Sequence, residues 1–167
     1  MKTPIVFTAS VLLTLSAQLA AVESSGKQDI DLGDLPADVN ELVQSRSPGF
    51  KPQEAERETR DGRVYYDVEG IRADGQEIEF DITQVDGEWT IVEVQRDIEM
   101  QEVPEAVRAS LMVDYPDFVP RRIIESDQGD GVVIYEFFGP GEDGQNTKIE
   151  VRYQDGKADV LTEEWMH

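Results

Sequence analysis

The sequence predicts an α+β protein made of two tandem units. Each unit is a helix followed by antiparallel strands, with the helices packed on one face of the sheet or sheets. Three observations lead there: Asp-Gly pairs that recur at a fixed spacing, proline-bounded stretches with a helical period, and runs that alternate with a period of two.

Asp61-Gly62, Asp74-Gly75 and Asp86-Gly87 return 69 positions later as Asp130-Gly131, Asp143-Gly144 and Asp155-Gly156. Further upstream the offset is 68: Leu35-Pro36 matches Val103-Pro104, Ser47-Pro48-Gly49-Phe50 matches Tyr115-Pro116-Asp117-Phe118, and Pro52 matches Pro120. One residue is therefore inserted between Pro120 and Asp130. Between the corners, "VYYDVEG" at 64–70 lies over "VIYEFFG" at 133–139.

The elements follow in chain order. Residues 1–21 read as a secretory signal, with Lys2 ahead of an apolar run from Ile5 to Leu15 and small residues at Ala20 and Ala21. The run is too short to span a bilayer, and no Cys follows it to carry a bacterial lipid anchor. Residues 22–33, "VESSGKQDIDLG", are polar and expected to be loose. The first unit covers 34–98 and the second 99–167, joined by a short connector at Arg96–Glu102. Pro36 and Pro104 belong in the first turn of a helix, where a missing N–H costs nothing. Val39, Leu42 and Val43 form one helical stripe, and Val107, Leu111 and Tyr115 another, before Pro48 and Pro116 stop them.

Strands are then expected near 50–58, 63–71, 76–84 and 88–96, and again near 118–125, 132–138, 147–153 and 158–163. Pro52 and Pro120 push the first strand of each set toward an edge. Val64, Tyr66 and Val68 alternate with Tyr65, Asp67 and Glu69, which marks a sheet with one covered side. The Asp-Gly pairs fall between such runs and read as hairpin corners. A calcium loop of the EF-hand type is excluded at these corners. It needs acidic or amide groups two and four positions before the Asp, and Ile82, Tyr153, Val151 and Ser126 break that pattern. A unit of this size is marginal alone, so the two are expected to share an edge or pack together.

Composition narrows the chemistry. There is no Cys, and the one His is His167, so a Ser-His-Asp triad, a Cys-His pair and a multi-histidine zinc site are unavailable within one chain. The formal charge is −21, and loss of Lys2 with the signal leaves 14 basic against 36 acidic residues, net −22. Such a chain repels nucleic acid and anionic headgroups, so neither is an expected partner, nor is membrane insertion after signal removal. Paired carboxylates could in principle hydrolyse glycosides, but no motif singles out a pair.

The helix openings "LP" and "VP", the "YP-x-F" helix exit, the "YY-x-V" and "IYEF" strands and the Asp-Gly hairpins resemble the PepSY-like family of small exported bacterial modules. The resemblance runs over about 34–164. It implies a helix on one face of an antiparallel sheet. In tandem form it implies an architecture like that of the beta-lactamase inhibitor protein, with a concave sheet surface. It implies binding and restraint of peptidases rather than catalysis, with no catalytic residues, cofactor or metal ligands to carry over. Arg46-Ser47 departs from the pattern where the second unit has Asp114-Tyr115.

If the helices cover the side bearing Tyr66, Phe80, Tyr135 and Val151, alternation leaves the other side to a partner. The candidate contact residues there are Tyr65, Ile134 and Phe138 as an apolar centre, with Glu79, Asp81, Glu136 and Arg152 as a polar rim. Trp89 is expected as a core lid and Trp165 as a cap on the last strand. The function expected is that of a periplasmic or secreted, non-enzymatic binding module, taking a protein or peptide with a basic surface. The alternative is a periplasmic cation-binding or sensing module using the acidic sheet face.

Overall fold

The structure, a computed structural model, describes residues 27–60, 62–141 and 144–165. The expected signal peptide lies outside the described residues, as does the start of the 22–33 segment. In chain order the elements are β1 (Gln28–Asp29), a 3-10 turn (Leu32–Asp34), α1 (Ala37–Arg46), β2 (Lys51–Arg60), β3 (Arg63–Ile71), β4 (Glu77–Val85), β5 (Glu88–Asp97), α2 (Glu105–Asp114), β6 (Arg122–Asp127), β7 (Val133–Pro140), β8 (Asn146–Gln154) and β9 (Lys157–Val160). A helix followed by four strands thus occurs twice. All nine strands form one antiparallel sheet in sequence order. The two halves meet at β5 and β6, from Val94 opposite Asp127 to Asp97 opposite Ile124.

Local chemistry explains the boundaries. Pro36 and Pro104 sit one residue ahead of each helix at φ −54. Their carbonyls accept the first helical bonds, from the N–H groups of Asn40 and Arg108 at 3.1 Å. Pro52 lies inside β2 at a bulge, in a stretch that β1 leaves unpaired because β1 reaches only Glu56 and Arg57. The corresponding strand of the second half is shorter than expected. Residues 118–121 stay outside it, with Pro120 unable to donate to a ladder, and β6 begins at Arg122. Asp86-Gly87 and Asp155-Gly156 have φ values of 53 and 87, and of 52 and 77. Two successive positive φ angles are what a two-residue hairpin with the right twist requires.

The described part of the 22–33 segment is more structured than its composition suggests: Gln28 and Asp29 pair with Arg57 and Glu56, and the N–H of Ile30 bonds the carbonyl of Ala55 at 2.9 Å.

Two cores lie under the two helices. Val39 and Val43 of α1 pack on Tyr66, Val68, Phe80 and Ile82. Val107 and Leu111 of α2 pack on Tyr135, Phe137, Ile149 and Val151. Both helices cover the same side, because Val94 of the first core faces Asp127, which in turn faces Val133 beside the second core. Trp89 is a lid on the first core, edge-on to Tyr66 at 5.3 Å. Between the cores runs a polar seam in which Glu125 accepts from Arg96 at 2.8 Å and from the Tyr135 hydroxyl at 3.1 Å. Each fully buried aliphatic or aromatic side chain here contributes about 1.5–3 kcal/mol.

Candidate binding face

With both helices on one side, the other side of the sheet carries the alternate residues of every strand. Register places them in rows. Glu56 faces Asp67, Asp67 faces Asp81, and Asp81 faces Glu93. In the next row Glu69 faces Glu79, and Glu79 faces Gln95. Asp67, Asp81 and Glu93 are only 7%, 5% and 3% exposed. Like charges directly opposite each other on a sheet repel, and burial strengthens the repulsion.

The first half meets this charge from the rim. The Lys27 ammonium, just before β1, contacts Glu56 at 2.5 Å and Asp67 at 3.0 Å. Arg60 at the end of β2 holds Glu58 at 3.0 Å, lies 3.9 Å from Asp81, and stacks over the Tyr65 ring at 4.0 Å. Glu93 accepts hydrogen bonds from the Ser126 hydroxyl and the Gln128 amide of β6 and its exit.

In the second half, Glu136 faces Glu150. Lys148, on the same strand as Glu150, reaches both, at 3.4 and 2.8 Å, and Glu164 at 2.6 Å. The chain after β9 lies back over this region. The backbone N–H of Trp165 donates to Glu150 at 2.7 Å, and its indole N–H donates to Gln128 at 3.0 Å. Trp165 therefore binds the sheet face through these two groups instead of capping the last strand.

Ionisation follows from this packing. Burial, with Asp67, Glu93 and Glu79 close by, pushes the Asp81 carboxyl up to about 9. A hydrogen bond to Glu77 and then burial raise Glu69 to about 7. Burial also raises Glu79, with Asp67 adding to it and Lys27 opposing it. In the second half burial raises Glu136 and Lys148 pulls it back. Burial alone would lower Lys27, but its bonds to Glu56 and Asp67 outweigh that and hold it firmly cationic.

The residues expected from the sequence all fall on this face, at different depths. Tyr65 is 7% exposed and Ile134 only 1%, so neither offers the open apolar surface that alternation suggested. Tyr65 lies beneath Arg60, and Ile134 sits between Ser126 and Arg152. Phe138 remains half-buried, with the Arg122 guanidinium 6.0 Å from its ring centre. Asp81 is buried, Glu79, Glu136 and Arg152 are half-buried, and Arg152 donates to Gln154. Alternation already placed Asp67 and Lys148 on this face, though outside the chosen contact set, whereas Glu93 and Lys27 were not foreseen. Asp67 shares strand parity with Tyr65 and Lys148 with Arg152; Glu93 lies on β5, where no residue was chosen, and Lys27 precedes the first strand.

These features define an α+β protein with one open antiparallel sheet covered by helices on one side. No family model matches the chain, and no curated protein matches it. A solved structure from Bacteroides vulgatus ATCC 8482, described as a candidate periplasmic protein of the DUF2874 family, is similar at 23% identity. The match covers 83% of this chain and 96% of that one, with a TM-score of 0.33. Among the described residues, no helix is long and apolar enough to cross a membrane.

Proposed function

We propose that the chain is an exported, non-enzymatic binding module of the PepSY-like kind, which engages a protein or peptide with a basic surface through the open sheet face. The observation that carries this reading is the one-sided placement of the helices, which leaves the acidic face of the sheet without a helix among the described residues. Lysine or arginine groups on a partner would meet the half-buried carboxylates of this face, Glu56, Glu69, Glu79 and Glu136, and would speed encounter at low salt. Phe138, half-buried beside Arg122, provides an aromatic contact at one end of that face.

A raised carboxylate is also what an acid catalyst needs. Asp81, however, is 5% exposed, and a general acid must first reach the bond it protonates. The cavity beside Glu69, Glu77 and Glu79 is about 160 Å³, below the range of about 300–1,000 Å³ that encloses a small organic substrate. These two facts weigh against Asp81, Glu69 and Glu79 as acid catalysts.

The test is a crosslinking pull-down from the envelope of the native host, comparing the mature chain with an Arg122→Glu/Phe138→Glu variant. The reading predicts a partner that is lost with the folded variant and that, once purified, binds the chain more weakly as salt rises. A partner retained by the variant, or binding indifferent to salt, contradicts it.

A further inference from the structure

We propose that Asp67, Glu79 and Asp81 form a binding site for a divalent, oxygen-seeking cation of the calcium class. One carboxylate oxygen from each lies within 4.8 Å of the others. Calcium holds its ligands at about 2.3–2.6 Å, so oxygens on opposite sides of one ion are at most about 5 Å apart. An all-carboxylate set suits a hard cation rather than zinc or copper.

Two further observations separate this cluster from an ordinary acidic surface. The first is the state of Asp67. It is 7% exposed, its Oδ2 is taken by Lys27, and its buried Oδ1 has no hydrogen-bond donor. A buried carboxylate oxygen without a donor is rare, and a cation is one of the few groups that satisfies it.

The second lies in the other half of the sheet. At the 69-residue offset of the sequence, Asp67, Glu79 and Asp81 correspond to Glu136, Lys148 and Glu150. Pairing agrees with this correspondence: Asp67 faces Asp81 as Glu136 faces Glu150, and Glu69 faces Glu79 as Phe138 faces Lys148. There the same carboxylate pair holds a cation, the Lys148 ammonium, at 2.8 and 3.4 Å. Placing Glu79 where the other half has lysine changes the local charge by two units. Lys27 on Asp67 returns one of those units, and a bound cation would supply the rest. Of the three, Glu79 lines a cavity of about 160 Å³, with Glu69, Gln95, Arg96 and Arg122 among its other walls, which gives room for water on the Glu79 side.

This site goes beyond the protein-binding reading and can be tested without a partner. Calcium chloride is titrated into the full chain, by calorimetry and by thermal unfolding, against sodium chloride of equal ionic strength. The wild type, Glu79→Lys and Asp67→Asn are compared. In about 10 mM calcium, the wild-type Tm is expected to rise by roughly 5 °C beyond the sodium control. Glu79→Lys, which installs the lysine of the other half, is expected to fold and to lose the calcium response. Asp67→Asn, which keeps the shape of the side chain, is expected to weaken calcium at least tenfold, and it decides the matter if the lysine variant does not fold. No wild-type shift beyond sodium, or an unchanged response in either folded variant, overturns the proposal.

Discussion

In the second half of the sheet, Glu136 and Glu150 face each other with Lys148 reaching both; in the first half, Asp67 and Asp81 face each other with Glu79 in the place of that lysine. The strand pairing at these positions is alike and the electrostatics are opposite. A counter-charge built into the strand neutralises the second pair, and the segment after β9 lies over it. The first pair relies on Lys27 at the sheet edge, on protons and, in our proposal, on a metal ion. One half of the face carries its cation within the strand, and the other draws on Lys27 and Arg60 at the sheet edge and, in our proposal, on an ion from outside.

The largest effect that sharpens this comparison concerns two glycines in similar surroundings, one in each half. Gly70 and Gly139 occupy matching positions beside Phe50 and Phe118. A Cβ at Gly70 would lie 2.2 Å from the carbonyl oxygen of Lys51 and 2.7 Å from the Cα of Pro52. At Gly139 the nearest atom would be the Val119 carbonyl oxygen, at 2.8 Å. Gly70→Ala is therefore expected to cost about 3 kcal/mol or more, and Gly139→Ala less, by chemical denaturation. Equal losses would mean that β2 can shift as readily as the chain ahead of β6.

Next is Lys148→Met. It leaves Glu150, 5% exposed, without its ammonium and should cost about 2–4 kcal/mol. The matching change at the rim, Lys27→Met, also strips the ammonium from a buried carboxylate, Asp67, but from a more exposed position, and should cost less, about 1–2 kcal/mol. A loss at Lys27 as large as that at Lys148 would erase the distinction between the halves.

The pH dependence should belong mainly to the first half. Asp81 titrates at about 9 and Glu69 at about 7 when folded, against about 4 in the unfolded chain. Between those values the folded state keeps protons that the unfolded chain has released. Their contribution is complete below about pH 4 and is lost as the pH rises through 7 and then 9. In divalent-free buffer the Tm should fall by roughly 5 °C or more from pH 5 to pH 9, and Asp81→Asn should flatten the upper part of that fall. A Tm that rises with pH over this range would contradict the placement of these carboxyls.

The sequence made the elements legible because their chemistry is local. Pro36 and Pro104 open the helices, Asp86-Gly87 and Asp155-Gly156 turn the hairpins, and the alternation around Tyr66 and Tyr135 identifies the covered side. The pairing of β5 with β6, which joins the halves, was expected only as one of two options. Nothing in either strand's own pattern names its neighbour across an edge.

For the face, strand parity located Glu79, Asp81 and Glu136. Parity gives side but not depth. Ile134 is 1% exposed and Tyr65 lies under Arg60 because of what neighbouring strands and the strand end place over them. Lys27 was hidden for a related reason: it belongs to a polar segment whose order comes from pairing with β2, not from its own composition.

The most direct test of the account is a paired charge reversal, Glu79→Lys and Lys148→Glu, with each Tm measured at neutral pH in divalent-free buffer. The account predicts opposite outcomes: the first variant melts above the wild type, and the second melts well below it. If Glu79→Lys also melts below the wild type, the first-half carboxylates are not awaiting a positive charge, and the contrast between the two halves fails.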